Sequence, residues 1–142
     1  MKKQIVLTAA ISGLFSLSTF ALLTPQSIQA ASWHNGIPTA LRGKYKSKPR
    51  GASRSYTRIY FRKNSAPFYN FWKSDGYTIN SPMMGIASHA KYKKVGSRTY
   101  KISGRDKSNT ITQSMYVYKK GHKIKFTFSH SFKGHPVLYR YY

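Results

Sequence analysis

Short runs of alternating apolar and polar residues recur along the chain from about residue 40 onwards. In the run 55–63, Thr57, Ile59 and Phe61 share one face of an extended segment, while Tyr and Arg side chains occupy the other face. Further runs of this kind occupy 40–48, 99–103, 110–118, 123–131 and 136–142. This period-2 pattern, rich in Tyr, Phe, Ile, Val and Thr, predicts half-buried antiparallel strands.

Turn-forming residues separate these runs. Clusters that contain Gly lie at 48–53, 94–98, 103–107, 119–123 and 132–136. Glycine supplies the positive φ that a tight hairpin needs. The sequence therefore predicts an all-β fold, a small antiparallel meander of about seven or eight strands that forms a bent sheet or a lipocalin-like barrel. For the aromatic-rich segment 65–88, two interpretations stay open: a strand pair around Gly76, or a loop over a barrel mouth.

The N-terminus has the features of a signal peptide. Lys2 and Lys3 precede an apolar stretch, 5–23, and a small residue, Ala30, follows the helix-breaking Pro25. We expect cleavage after Ala30, which gives a signal peptide over 1–30 and a single basic all-β domain over 31–142. The alternative is a retained membrane anchor, because the apolar stretch is close to the length of about 20 residues that spans a bilayer. The predicted location is secreted, either extracellular or bound to the cell wall.

Charge is the most unusual property of the sequence. The chain has 25 Lys and Arg but only two acidic residues, for a formal net charge of +23, which falls to +21 when Lys2 and Lys3 leave with the signal peptide. Such a charge destabilises a compact state by self-repulsion and attracts polyanions. The chain has no cysteine and hence no disulfide, so a hydrophobic core must stabilise the fold. Aliphatic residues are few, and we expect aromatic side chains to supply much of this core.

Basic residues and tyrosines alternate along the predicted outward faces, which suggests a binding surface. The predicted polyanion-binding residues are Arg42, Lys44, Lys46, Lys48, Arg58, Arg62, Lys91, Lys93, Lys94, Lys119, Lys120, Lys123 and Lys125, and the predicted aromatic contacts are Tyr56, Tyr60, Tyr92 and Tyr118. Lys and Arg bind phosphates, whereas tyrosine offers a ring face and a hydroxyl. The alternative for each tyrosine is a purely structural cross-strand contact.

Catalytic chemistry is poorly represented. The two acids, Asp75 and Asp106, each lie in a turn-like Ser/Gly context, where aspartate commonly stabilises the turn itself. The five histidines lack the spacing and the neighbouring acids of zinc hydrolases. We therefore predict a non-catalytic protein without a metal site or cofactor.

Residues 33–47, WHNGIPTALRGKYKS, follow the pattern W-x-x-G-x-P-x-x-L-R-G-x-(W/Y)-x-S. The matching positions are Trp33, Gly36, Pro38, Leu41, Arg42, Gly43, Tyr45 and Ser47. This segment resembles the start of the mature region in small, secreted, basic proteins of lactobacilli and their relatives, and the resemblance implies a compartment and an architecture. The stretch LRGKY is also similar to the G-x-W entry of lipocalin-type barrels, with Tyr45 in place of the tryptophan, which implies a ligand cavity.

The predicted function is binding of an anionic cell-wall polymer of the teichoic acid type by a monomeric, secreted protein. Phosphate polymers outside the membrane attract a Lys/Arg field by the same counterion release that operates on nucleic acids. Non-specific nucleic acid and an anionic membrane surface are further candidate partners. The alternative functions are a lipocalin-like carrier of small ligands and a cationic membrane-active or antimicrobial protein.

Overall fold

The computed structural model describes residues 32–142, and these form one bent, unclosed sheet of 11 antiparallel strands. The strands are β1 His34–Asn35, β2 Gly43–Ser47, β3 Tyr56–Phe61, β4 Ala66–Ser74, β5 Tyr77–Asn80, β6 Met84–Ile86, β7 Ser88–Lys94, β8 Thr99–Arg105, β9 Thr112–Lys120, β10 Lys123–Thr127 and β11 Leu138–Tyr141. The all-β, antiparallel prediction is confirmed, with a bent sheet rather than a closed barrel. The predicted signal peptide lies outside the described residues.

The strand order is β1-β7-β8-β9-β10-β11-β2-β3-β4-β5, and β6 pairs with β4. The C-terminal strand β11 thus lies beside β2, near the start of the described chain. The sheet has more strands than predicted mainly because 65–88 contains all of β4, β5 and β6. Of the two interpretations of this segment, the strand pair is correct: β4 and β5 form a hairpin around Asp75 and Gly76, which adopt φ values of 49° and 82°.

The inner face of the sheet carries the hydrophobic core. Its buried members are Ile37, Leu41, Tyr45, Ile59, Phe61, Ala66, Phe68, Ile86, Ala90, Ile102, Met115, Val117, Ile124 and Leu138. Leu41 and Tyr45, which share one face of the alternating run 40–48, are both fully buried. Ile111, which shares a face with Met115 and Val117 in the alternation of the run 110–118, is 59% exposed. It precedes β9 and belongs to the loop in which its backbone pairs with Asp106.

The segment before β2 holds distant strands together through its backbone. The Gly36 N–H donates to the Ala90 carbonyl of β7, and the Ile37 N–H donates to the Lys63 carbonyl after β3, each at 2.7 Å. Gly36 has φ of +84°, and a Cβ there would lie 2.9 Å from the Lys63 oxygen. The contact therefore needs glycine on both conformational and steric grounds.

Arg140 explains the Arg-Gly pair at the start of β2. Its guanidinium donates to the Arg42 carbonyl and lies 5.9 Å from the centre of the Tyr45 ring. A Cβ on Gly43 would come within 2.9 Å of the Arg140 Nε and Nη2 atoms, and Gly43 itself has φ of +142°. Arg42 Nε donates to the Ile37 carbonyl at 3.0 Å. Arg42 and Gly43 of the pattern at 33–47 thus make structural contacts.

Candidate polyanion-binding face

Strand β2 presents lysines on the outer face of the sheet and core residues on the inner face. Lys44, Lys46 and Lys48 are exposed, whereas Tyr45 and Ser47 between them are buried. Ser47 Oγ accepts a hydrogen bond from the Thr57 N–H at 2.9 Å, which ties the end of β2 to β3. The predicted alternation is therefore confirmed. Lys44 and Lys46 of β2 and Lys48 directly after it form a row of lysines.

Two tyrosines from β11 lie among these lysines. The register pairs Tyr139 with Lys46 and Tyr141 with Lys44. The Lys44 and Lys46 ammonium groups lie 5.9 and 5.6 Å from the centre of the Tyr141 ring, and the Lys48 ammonium lies 5.5 Å from that of Tyr139. Each distance is within the range of a cation–π contact. The rings hold the ammonium groups close together without any counter-charge.

The same arrangement continues across the neighbouring strands. On one side, Lys123 of β10 pairs with Tyr139, and its ammonium lies 5.5 Å from that ring. On the other side, Arg58 of β3 pairs with Lys46. We call this surface the cation–tyrosine face. It comprises Lys44, Lys46, Lys48, Tyr56, Arg58, Tyr60, Lys123, Tyr139 and Tyr141.

Arg58 lies against aromatic rings on this face. Its guanidinium carbon is 5.3 Å from the Tyr56 ring centre, 4.9 Å from that of Phe71 and 5.9 Å from that of Tyr141. Tyr56 and Phe71 stack on each other, with centroids 5.0 Å apart and planes within 7°. Arg58 Nε is buried and has no hydrogen-bond partner in the described part of the chain. The rings therefore hold the guanidinium plane in place beside the lysine row.

Tyr60 and Tyr141 form a pair of phenols at the edge of the lysine row. The Tyr141 hydroxyl donates to the Tyr60 oxygen at 3.5 Å. This hydrogen bond lowers the pKa of Tyr60, while burial and the neighbouring Tyr60 raise the pKa of Tyr141 to about 12. Tyr60 therefore ionises before Tyr141. Tyr60 also pairs with Lys44 across the β2–β3 ladder, which places this phenol beside an ammonium group.

Neither acidic side chain lies on the cation–tyrosine face. Asp75 lies in the β4–β5 turn, and Asp106 follows β8. The Asp106 carboxylate accepts hydrogen bonds from the Ser108 hydroxyl and from the Thr110 and Ile111 N–H groups. The Ser108 hydroxyl, followed by the Ile111 N–H, lowers the pKa of Asp106. Asp106 thus stabilises its turn, as expected, Asp75 occupies the β4–β5 turn, and neither acid neutralises the lysine row.

A second cluster of cations and rings lies at the other end of the sheet. The Trp33 ring lies 5.0 Å from the ammonium groups of both Lys91 and Lys93 on β7. Lys101 of β8 pairs with Lys93 and has its ammonium 5.6 Å from the Tyr116 ring centre. The predicted residues Lys91 and Lys93 therefore belong to a separate basic area. Trp33, Lys101 and Tyr116 were not among the predicted contacts.

Three predicted residues lie on the core-facing side of their strands. Tyr92 packs against the core, and the register pairs Lys94 with the core-packed Tyr100. Lys119 pairs with the buried Ile124, and its ammonium donates to the Gly121 carbonyl. These residues do not share the outer face with their neighbours, because strict alternation sends every second residue of a basic run to the opposite face. Lys94, at the end of β7, is nevertheless exposed.

The other predicted residues have mixed surroundings. Arg42 lies in the turn before β2, and Arg62 is exposed just after β3 ends. Lys120 pairs with Lys123, so the basic surface extends onto β9. Tyr118 pairs with Lys125, and its ring lies 6.2 Å from Phe132 of the β10–β11 loop. Tyr118 therefore has a structural contact besides its place on the outer face.

Tyr139 and Tyr141 are the main residues that the sequence did not assign to the site. Their alternation with Leu138 and Arg140 was visible, but their proximity to Lys44 and Lys46 depends on pairing between β11 and β2. That pairing joins the two ends of the described chain. No short-range sequence signal specifies it.

The described residues contain no group of three or more His, Cys, Asp or Glu that could hold a metal ion. Within the same range, no helix is long and apolar enough to cross a membrane. Comparisons with protein-family models, with curated proteins and with solved structures find no match for the chain. The function is therefore argued from the geometry and charge of the outer face.

Proposed function

We propose that the protein is secreted and binds an anionic cell-wall polymer of the teichoic acid type through the cation–tyrosine face, without catalysis. The observation that carries this proposal is the position of Lys44, Lys46 and Lys123 around two tyrosine rings, with no acidic side chain among them. Acids placed among lysines would be expected if the charge served only solubility.

The physical basis is electrostatic. Side chains at alternate positions of a strand are about 6.6 Å apart, and neighbouring strands are about 4.8 Å apart. At such distances the ammonium groups of Lys44, Lys46 and Lys48 repel one another. The electron-rich ring faces offset this repulsion only in part. A chain of phosphates relieves the repulsion and releases its own condensed counterions on binding.

The tyrosines contribute contacts of a different kind. A phenol ring offers an apolar face to the C–H groups of a sugar or polyol, and its hydroxyl hydrogen-bonds a phosphate oxygen. The Tyr56 and Tyr60 rings also pack on Phe71 and Tyr69 of β4, so little of their side-chain entropy is lost when the polymer binds. Phosphate and polyol groups alternate in a teichoic acid-like polymer, which suits a surface of alternating cations and rings.

A salt series tests this proposal. We expect the exported protein to sediment with purified cell walls at low ionic strength and to be released as salt rises. If about five phosphates are contacted, the slope of log K against log salt should be near −4. Binding that does not change between low and high salt would contradict the electrostatic mechanism, because apolar burial does not weaken with added salt.

A further inference from the structure

A pocket of about 410 Å³ lies beside an irregularity in β7, outside the cation–tyrosine face. It is lined by His89, Lys91, Ser103, Gly104, Arg105, Asn109 and Thr112. No acid is among these lining residues. The pocket therefore has two cationic side chains, Lys91 and Arg105, and several neutral polar ones in its lining.

The irregularity beside this pocket is a β-bulge. The β7–β8 register shifts between Ser88 and Lys91, so β7 carries one extra residue there. At the bulge, the Ala90 N–H donates to the Asn64 carbonyl, and the Ala90 carbonyl accepts from Gly36. His89, which lies within the bulge, and Lys91, at its end, both line the pocket.

On the β8 side, the pocket is lined by Ser103, a buried residue with a hydroxyl group. Ser103 is only 5% exposed. The Ser114 hydroxyl donates to Ser103 Oγ at 3.2 Å, which leaves the proton of Ser103 for another acceptor. A hydroxyl that accepts one hydrogen bond can still donate one, so Ser103 suits a ligand with acceptor oxygens.

Basic side chains line the same pocket as Ser103, and neighbouring groups position two of them. The Lys91 ammonium lies 5.0 Å from the Trp33 ring centre, and Arg105 Nη1 donates to the Thr110 carbonyl at 3.4 Å. His89 has φ of 52°, and its Nδ1 is hydrogen-bonded to Ser88 Oγ at 2.9 Å, so Nε2 is the nitrogen that can meet a ligand. Ammonium, guanidinium, imidazole and hydroxyl donors together fit a phosphate group.

We propose that this pocket binds a single phosphate group on a small polyol, such as a glycerol phosphate unit. The inference rests on the proposed function, since it names the unit of the polymer that the pocket holds. Whereas the cation–tyrosine face attracts the polymer as a whole, the pocket holds one phosphate with donors from Lys91, Ser103 and Arg105. One unit held in this way would fix the position of the polymer along the protein.

The test is an NMR titration of the ¹⁵N-labelled exported protein with sn-glycerol 3-phosphate at constant ionic strength, with glycerol as the uncharged comparison. We expect the amide shifts to concentrate around residues 88–91 and 103–105. In Arg105→Gln, the affinity should fall about tenfold, the scale of one charge-assisted hydrogen bond. Ser103→Ala should also weaken binding, although it removes no charge.

Arg98→Gln is the matched control, because Arg98 is exposed in the β7–β8 turn and is not among the lining residues. An unchanged affinity in this variant supports the pocket. Equal losses in Arg98→Gln and Arg105→Gln, or shifts spread evenly over the lysine-bearing strands, would overturn the inference. Wall sedimentation of the same variants separates the two proposals. If wall binding remains salt-sensitive but glycerol 3-phosphate causes no amide shifts around the pocket, the pocket inference is wrong and the proposed function stands.

Discussion

Replacing Lys44 and Lys46 by glutamate is expected to lower the affinity for cell walls about a hundredfold or more near 0.1 M salt, since each phosphate contact contributes roughly tenfold by counterion release. Both side chains are exposed on β2 and lie near the Tyr141 ring. The substitution removes two contacts and adds two repelling charges at the centre of the face. Sedimentation across a range of wall concentrations measures the loss.

The fold should tolerate this double substitution. The two lysines make no core contact, and the new glutamates would lie close to Arg58, Lys48 and Lys123, with which they can pair. Unfolding in urea should therefore show a midpoint no lower than that of the unchanged protein. This measurement distinguishes lost binding from lost structure.

The control for this experiment is Lys63→Glu with Lys107→Glu. Both lysines are exposed outside the cation–tyrosine face, in the turn after β3 and in the loop after β8. This variant has the same net charge as the first one, so it reports the effect of the overall field. We expect a much smaller loss of affinity. Equal losses in the two variants would contradict a localised binding face.

Removing the Tyr45 side chain is expected to have the largest effect on stability. Tyr45 is fully buried, and its ring lies edge-on to Phe61 with centroids 5.8 Å apart. Tyr45→Ala should lower the free energy of unfolding by about 3–5 kcal/mol, through lost burial and the remaining cavity. A domain of this size is stabilised by only about 5–15 kcal/mol, so the loss is a large fraction of the total and should appear as a clearly lower midpoint of urea unfolding.

Tyr45→Phe should behave very differently. The Tyr45 hydroxyl is buried without a hydrogen-bond partner in the described residues, and burial raises the pKa of the phenol. Its removal leaves the ring packing intact and removes an unsatisfied polar group. We expect the free energy of unfolding to stay the same or rise by up to about 1 kcal/mol. A loss of more than about 1 kcal/mol, measured by urea unfolding, would show that the hydroxyl has a stabilising partner.

The local structure of β2 was predictable because its pattern is strict. Tyr45 and Ser47 alternate with lysines, so the sequence alone decides which side chains are buried and which are exposed. The same rule applies in β7. The run of Lys91, Tyr92, Lys93 and Lys94 does not form one outward surface, because alternation places Tyr92 and Lys94 on the opposite side of the strand from Lys91 and Lys93.

Other parts of the site depend on contacts between distant segments, which no local pattern contains. Tyr139 and Tyr141 join the lysine row only because β11 pairs with β2. The phosphate pocket depends on a one-residue bulge in β7, where Ala90 bonds to Gly36 and Asn64. Neither the register between chain ends nor the position of a bulge follows from composition or period.

The most direct test of the central claim is sedimentation of the protein with cell walls before and after the teichoic acid is stripped from them, at low salt. Walls that retain their phosphate polymer should bind the protein. With stripped walls, nearly all of the protein should stay in the supernatant, because the cation–tyrosine face then lacks its anionic partner. Equal binding to both preparations would contradict the account and direct attention to another wall component.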